Sequence, residues 1–169
     1  MTDAVNSTRD EHIATDAEAM RDLGRQLSRV VEGGDVILLV GPLGAGKTTF
    51  VQGLGSGMQV EGKVTSPTYI IARVHDSTVG GPDLVHVDAY RLEDDLDLET
   101  IDLDAGLDES VTVVEWGRGR AEELSDDRLE IEITFTQEPS TDEATEQRAV
   151  RFVPVGARWA RKLKEADLV

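Results

Sequence analysis

The amino-acid sequence predicts a mixed α/β fold, with a largely parallel central sheet flanked by helices and an antiparallel hairpin at one edge. Three observations predict it. The segment 35–40 is apolar after its first residue and precedes a glycine-rich loop, which is typical of a buried parallel strand. Two later apolar runs, 84–88 and 111–115, each end in a carboxylate. The segment 129–135 alternates apolar and polar residues, as a half-exposed strand does.

Length and composition bound the class of protein. The chain has 169 residues, enough for one domain that buries roughly 70% of the surface of its unfolded form. It contains no cysteine, which excludes structural disulfides and cysteine-ligated zinc. We expect residues 1–10 to be a disordered extension and residues 11–169 to form a single domain.

Charge and hydropathy indicate the compartment and the partners. The formal net charge is −17, and a surface this acidic repels nucleic-acid backbone and anionic lipid. The N-terminus lacks the pattern of a secretory signal, and the apolar run 36–40 is far shorter than the roughly 20 residues that span a bilayer. We expect a soluble cytoplasmic protein without membrane contact. Its basic residues cluster mainly near the C-terminus, at Arg158, Arg161, Lys162 and Lys164.

The first half of the chain predicts a helix, a strand and a second helix. Residues 15–18 have the T-x-x-E spacing of a capping box, with Thr15 as the cap, and apolar residues follow at helical intervals. The glycine pair 33–34 should end this helix. A buried strand is predicted at 35–40, and a helix at 47–54 that stops in the glycines at 55 and 57.

The second half predicts strands and a closing helix. The predicted strands are 69–75, 84–88, 111–115, 129–136 and 149–154. The last two are joined by the polar stretch 137–147, and we expect them to form the hairpin at the sheet edge. A short basic helix should close the chain at 157–166. His75 and His86 lie within predicted strands, and we interpret both as structural.

The loop between the first strand and second helix carries the chemistry. Residues 41–48 read GPLGAGKT and match the phosphate-loop pattern G-x-x-x-x-G-K-[ST] at every fixed position. Its backbone amides and the following helix N-terminus suit phosphate, Lys47 suits the β- and γ-phosphates, and the Thr48 hydroxyl suits Mg²⁺. A glycine-rich turn before an ordinary helix is the alternative. The residues predicted to hold the nucleotide here are Gly41, Gly44, Ala45, Gly46, Lys47, Thr48 and Thr49.

Two carboxylates could complete a magnesium site. Asp88 and Glu115 each end an apolar run, and the carboxyl ends of strands are where open α/β sheets bind ligands. We predict Lys47, Asp88 and Glu115 as catalytic residues, with Thr48 and Glu115 at the metal; which carboxylate is the direct ligand stays open. The N-K-x-D and D-x-x-G patterns of GTPases are absent from the sequence, which favours ATP.

Four segments in order resemble the TsaE family, the bacterial ATPases of tRNA threonylcarbamoyladenosine biosynthesis. They are GPLGAGKTTF at 41–50, TSPTY at 65–69, HVDAYRL at 86–92 and VEWG at 114–117. The resemblance runs from Thr15 to about residue 122. Gly117 stands where proline is common, Ala89 replaces a frequent leucine, and the N-terminal extension and the stretch 137–147 look longer than usual.

The resemblance implies a phosphate-loop NTPase fold and Mg-dependent ATP hydrolysis that is slow for the isolated protein. It implies association with the TsaB–TsaD pair, which modifies the adenosine 3′ of the anticodon in tRNAs that read ANN codons, so tRNA would be met only indirectly. By position, Thr15, Thr68 and Arg118 would lie near the nucleotide, and residues 66–68 would respond to the γ-phosphate. Trp116 would contact a partner or the nucleotide, or fill the core.

Two other functions fit the phosphate loop. A small-molecule kinase would need an arginine-bearing lid, which only Arg118 and Arg120 could begin, and an acceptor pocket that the sequence does not reveal. A nucleotide-sensing scaffold would bind ATP without using it. Phosphate release stimulated by the partners would distinguish an ATPase from both.

Overall fold

The computed structural model describes residues 11–42, 44–62, 64, 72–88, 109–115, 127–136 and 147–169. They form one seven-stranded sheet with the order β1-β7-β6-β2-β5-β4-β3. The strands are β1 (Glu11–Ala14), β2 (Val36–Val40), β3 (Ala72–His75), β4 (Asp83–Asp88), β5 (Ser110–Glu115), β6 (Arg128–Phe135) and β7 (Arg148–Val155). The helices are α1 (Ala17–Leu27), α2 (Lys47–Met58) and α3 (Ala157–Glu165). The predicted extension 1–10 and most of the stretch 137–147 lie outside the described residues.

The centre of the sheet is parallel, as predicted. Strand β2 pairs in parallel with β5 on one side and with β6 on the other, and β5 pairs in parallel with β4. Residues on both faces of β2 are buried, including Ile37 and Leu39 on one face and Val36 and Leu38 on the other. This explains why its sequence is apolar at every position instead of alternating.

The three helices pack on the face of the sheet that carries Ile37 and Leu39. Their buried side chains join those of β2, β5 and β6 in one hydrophobic cluster, to which α1 contributes Met20, α2 contributes Phe50, and α3 contributes Trp159. None of the helices in the described part of the chain is long and apolar enough to cross a membrane.

Helices α1 and α2 cross with their backbones in close contact. A Cβ atom added at Gly24 would overlap the carbonyl oxygen of Phe50, and one at Gly53 would overlap that of Arg21. The prediction that Gly55 and Gly57 end α2 was wrong. Gly57 lies against Ser28 at the end of α1, and Gly55 packs against Val64 and Leu84. The helix continues to Met58 and ends at Gln59, in the left-handed conformation with φ 58°.

The start and end of α1 also differ from the prediction. Asp16, not Thr15, is the N-cap, and its carboxylate accepts a hydrogen bond of 2.8 Å from the amide of Ala19. The helix ends at Leu27, well before the glycine pair at 33–34, and the backbone amide of Ser28 closes it by donating to the carbonyl of Gly24 at 3.0 Å.

One edge of the sheet differs from the sequence interpretation. The antiparallel pair β6–β7 exists, but it does not form the edge, because β1 pairs antiparallel with β7 and covers it. Strand β1 was not predicted, since four residues beside a polar N-terminus give too short a pattern. At the other edge β3 pairs antiparallel with β4, and its predicted first residues 69–71 lie outside the described part.

Candidate functional site

The loop after β2, the ends of β4 and β5 and the beginning of α2 meet at one edge of the sheet. The register pairs Glu115 at the end of β5 with both Asp88 of β4 and Leu39 of β2. Because β7 runs in the opposite direction, its first residue, Arg148, lies at this same edge. It pairs with Ala14, so β1 also ends here. This edge, at the carboxyl end of β2, is where the sequence predicted a ligand site.

Three glycines of the loop, Gly41, Gly44 and Gly46, have separate structural reasons. Gly41 lies so close to β6 that a Cβ atom there would overlap the carbonyl oxygen of Ile133. Gly44 and Gly46 have φ values of 80° and 104°, in the left-handed region that side-chain-bearing residues rarely adopt. When left-handed residues such as these alternate with other residues along a loop, the backbone forms concave nests of amide groups that bind anions.

Helix α2 begins directly at the loop, with Gly46 as its N-cap. Gly46 provides no side chain to cap the helix, and the first turn contains no acidic residue. The amide of Phe50 donates to the carbonyl of Gly46 at 2.9 Å, so the regular helical hydrogen bonds begin there. The amides before Phe50 precede that ladder and carry the positive end of the helix dipole, which favours an anion.

Lys47 is buried, with 5% of its surface exposed. Its ammonium donates hydrogen bonds to the carbonyl oxygens of Gly41 at 2.8 Å and Pro42 at 3.0 Å. The side chain therefore folds back across the loop and fixes its curvature. A cation held in this position adds positive charge to the loop backbone.

Thr48 and Glu115 lie side by side, as the predicted magnesium site requires. The Thr48 hydroxyl oxygen is 3.4 Å from each carboxylate oxygen of Glu115, and Glu115 is 6% exposed. A hydroxyl and a carboxylate are hard oxygen donors of the kind Mg²⁺ prefers. Among the described residues no group of three or more His, Cys, Asp or Glu side chains could hold a metal ion alone. The pair therefore fits a metal that also takes oxygens from phosphate and water.

His86 is also part of this site, although the sequence interpretation assigned it a structural role only. It is fully buried in β4, and its Nε2 is hydrogen-bonded to a carboxylate oxygen of Glu115. His86 pairs with Val113, two residues before Glu115 in β5, so His86 and Glu115 share one face of the sheet. The available signal was the alternation of side chains along β4, which sets the face of the sheet that His86 shares with Glu115.

A pocket opens beside the loop, with a volume of about 150 Å³. Its lining comes from the start of α1, the loop, the first turn of α2 and the start of β7: Asp16, Ala17, Met20, Gly44, Gly46, Thr49 and Arg148. Three of the predicted nucleotide residues, Gly44, Gly46 and Thr49, thus share one pocket. The described residues that line it do not include Thr15, which is exposed beside the N-cap Asp16.

Arg148 is the second residue of the site that sequence reasoning missed. Its guanidinium donates to the carbonyl oxygens of Ala45 at 3.2 Å and Gly44 at 3.3 Å, and it lies 4.9 Å from the centre of the Phe135 ring. Arg148 follows its loop partners Ala45 and Gly44 by 103 and 104 residues in sequence, and no local motif marks it. Only the return of β7 to this edge brings it to the loop.

The remaining predicted site residues cannot be placed. Thr68, Trp116 and Arg118 lie outside the described residues, as does the segment 66–68. The backbone of Asp88 ends β4 beside Glu115, but its side chain also lies outside the description. These assignments stay predictions.

Comparison with known proteins identifies the family. The family model described as "Threonylcarbamoyl adenosine biosynthesis protein TsaE" matches residues 14–147, which include the loop, both strand-end acids and β6. The chain belongs to the TsaE family. The resemblance predicted from the four sequence segments is thereby confirmed.

Relatives and a solved structure agree with this family. A Streptomyces coelicolor protein named "tRNA threonylcarbamoyladenosine biosynthesis protein TsaE" is 54% identical over 142 residues, 83% of this chain and 94% of the relative. A Mycobacterium tuberculosis protein of the same name is 45% identical over 130 residues, 73% of this chain and 77% of the relative. The crystal structure of Bacillus subtilis YdiB matches 92% of both chains, with a TM-score of 0.71 and 27% identity.

Proposed function

We propose that this TsaE-family protein binds ATP with Mg²⁺ and hydrolyses it in support of tRNA threonylcarbamoyladenosine synthesis. The observation that carries the proposal is the meeting of Lys47, Thr48 and Glu115 at the carboxyl end of β2, around a loop with two left-handed glycines. We infer from this arrangement a fold of the phosphate-loop NTPase type.

Phosphate binding would use the backbone more than side chains. The loop amides and the first amides of α2 would donate to phosphate oxygens, supported by the helix dipole. Lys47 would contribute a positive charge that is already held at the loop by two carbonyl oxygens. The adjacent pocket, lined by Asp16, Met20 and Arg148, would take part of the nucleoside.

Hydrolysis would use the side-chain oxygens of Thr48 and Glu115. Thr48 and Glu115 would hold Mg²⁺, directly or through water. When bound, the metal neutralises charge that develops on the β- and γ-phosphate oxygens. Glu115, or Asp88 at the end of the neighbouring strand, would orient the attacking water. The chain's own contribution is thus positioning and electrostatic stabilisation, which dominate phosphoryl transfer.

The place of this activity follows from the family. Relatives carry the name tRNA threonylcarbamoyladenosine biosynthesis protein, and we extend that process to this chain. The resemblance implies that it acts through a TsaB–TsaD-like complex in the cytoplasm. The acidic surface, with net charge −17, is consistent with a protein that meets tRNA through its partners.

Reconstitution tests the proposal. TsaB–TsaD, tRNA and a threonylcarbamoyl donor are incubated with and without the protein, and modified tRNA and free phosphate are followed over many turnovers. We expect continued modification and partner-stimulated phosphate release only when the protein and Mg²⁺ are present.

Glu115→Gln, which keeps the shape of the side chain, should abolish phosphate release. Multiple-turnover modification at an unchanged rate without the protein would refute the role. Phosphate release unchanged in Glu115→Gln would move the metal assignment to Asp88.

A further inference from the structure

Two buried histidines of this protein have different partners. In His75 of β3, Nδ1 lies 2.9 Å from the backbone carbonyl oxygen of Glu61, an arrangement that ties a loop to the sheet. In His86 of β4, Nε2 is hydrogen-bonded to the side chain of Glu115, the carboxylate assigned to the metal. Both side chains are buried, but only His86 acts on a group of the candidate site.

The hydrogen bond fixes which ring nitrogen of His86 carries the proton. A carboxylate oxygen accepts hydrogen bonds, so Nε2 is assigned as the donor in this pair. The other ring nitrogen, Nδ1, is buried and has no hydrogen-bond partner in the part of the chain that the structure describes.

We propose that His86 is a positioning residue that orients Glu115 for the metal; the inference rests on the proposed function. Glu115 is the last residue of β5, and its carboxylate is 3.4 Å from the Thr48 hydroxyl through either oxygen. The Nε2–H of His86 holds one of these oxygens, Oε2. The second oxygen, Oε1, then keeps its lone pairs beside Thr48 for the metal or its water.

This role gives a physical reason for burying a polar side chain, His86, which destabilises the core. A fully buried imidazole whose Nδ1 has no hydrogen-bond partner among the described residues is less stable in a core than an apolar side chain of similar volume. Hydrogen bonds from outside the coordination sphere fix the orientation of metal ligands, and losing one typically lowers metal affinity by about 10- to 100-fold. His86 therefore lowers the stability of the core and fixes the orientation of Glu115.

The test compares four variants. His86→Gln keeps an N–H that reaches about as far as Nε2, His86→Asn keeps the amide but is too short, and His86→Leu removes the donor. His75→Leu is the matched control for losing a buried histidine. The measurements are Mn²⁺ affinity of the ATP-bound protein by electron paramagnetic resonance, ATP affinity in EDTA, and thermal unfolding.

We expect His86→Leu and His86→Asn to weaken Mn²⁺ binding by about 10- to 100-fold, with metal-free ATP affinity unchanged. His86→Gln should recover most of the loss, and His75→Leu should bind Mn²⁺ as the wild type does. If His86→Leu does not fold, the comparison of Gln with Asn carries the test, because both are amides of different reach.

Equal Mn²⁺ affinity in the Gln and Asn variants and in the wild type would overturn the positioning role and leave the proposed function intact. A wild-type protein that takes up no ATP and no Mn²⁺ would overturn the proposed function, and the positioning role with it.

Discussion

The two ends of the central strand β2 each hold a buried lysine, and the two lysines do different things. Lys162, 4% exposed, lies at the amino end of β2 and is bonded to the buried carboxylate of Asp35 at 2.7 Å. Lys47, 5% exposed, lies at the carboxyl end and donates to the carbonyl oxygens of Gly41 and Pro42. Burial of a lysine therefore does not by itself indicate a ligand site. What distinguishes the two is the backbone around them.

The amino end is a closed ionic cluster that fastens α3 to the sheet. Asp35, fully buried, accepts from Lys162 and from the amide of Glu32 at 2.7 Å, and Arg158 lies 2.9 Å from its second oxygen. Lys162 also lies 3.1 Å from a carboxylate oxygen of Glu32 and 5.1 Å from the centre of the Trp159 ring. The charges are matched within the protein, so this end needs no ligand.

The carboxyl end combines a lysine, left-handed glycines and a helix N-terminus without a side-chain cap. Gly44 and Gly46 line the pocket beside the loop. Here positive charge and backbone amides converge on a space large enough for part of a ligand. The comparison predicts that variants at the two ends separate stability from nucleotide binding.

The largest effect is expected from Lys162→Ala at the amino end. Removing one partner of a buried ion pair typically costs about 3 to 5 kcal/mol in the free energy of unfolding, because the remaining charge stays buried. Denaturant unfolding measures this, and the exposed Lys164→Ala on the same helix serves as the control. ATP affinity of the folded fraction should not change. A loss of ATP binding without a loss of stability would contradict the division between the two ends.

Lys47→Ala should give the opposite result. Hydrogen bonds to charged groups contribute about 1.5 to 3 kcal/mol, so ATP affinity should fall by roughly 10- to 100-fold. The carbonyl oxygens that Lys47 leaves belong to a surface loop where water can replace it, and unfolding should change by less than about 1 kcal/mol. Calorimetric titration with ATP measures the affinity. Unchanged affinity in folded Lys47→Ala would remove this lysine from the site.

A smaller loss of affinity is expected for Arg148→Ala. Arg148 supports the loop through Ala45 and Gly44 and lines the pocket, so its removal should weaken ATP binding by about tenfold. The matched control is Arg151→Ala, an exposed residue of the same strand. Equal ATP affinities in the two variants would mean that β7 closes the sheet edge without serving the nucleotide.

The smallest effect is a pH dependence at the amino end. The hydrogen bond from Lys162, with its charge, lowers the pKa of the exposed Glu32 below its ordinary value of 4.5. A carboxyl whose pKa is lower in the folded state stabilises the protein fully above its unfolded pKa. That contribution is lost as the pH falls through the lower folded-state pKa. Glu32→Gln should therefore lower the melting temperature at pH 7, and the difference from the wild type should close in acid. A difference that does not change with pH would contradict this ion pair.

The sequence predicted the centre of the fold because it depends on local patterns, and similar local patterns led to the predicted site. The apolar β2, the loop 41–48 and the carboxylates that end two strands each carry their signal within a few residues. The parallel pairing of β5 with β2, which the sequence did not reveal, then brings Glu115 to Thr48. The edge strands β1 and β3 are four residues each, so their patterns were too short to define pairing.

What the sequence could not predict depends on distant parts of the chain. Arg148 reaches the loop only because β7 returns antiparallel beside β6, and Lys162 finds Asp35 across 127 residues. Gly55 and Gly57 looked like the end of α2, because their packing against Leu84 and Ser28 has no signal in the sequence of α2 itself. His86 looked structural because its partner, Glu115, belongs to another strand.

The most direct test of the central claim asks whether the nucleotide changes the environment of residues at the carboxyl end or at the amino end of β2. Protein labelled with ¹⁵N at glycine is titrated with ATP and Mg²⁺, and the amide resonances are followed. The account predicts saturable shifts of Gly41, Gly44 and Gly46 at the carboxyl end, with Gly34 and Gly156 at the amino end unchanged. No shift of the loop glycines in folded protein, or shifts confined to Gly34 and Gly156, would contradict the account.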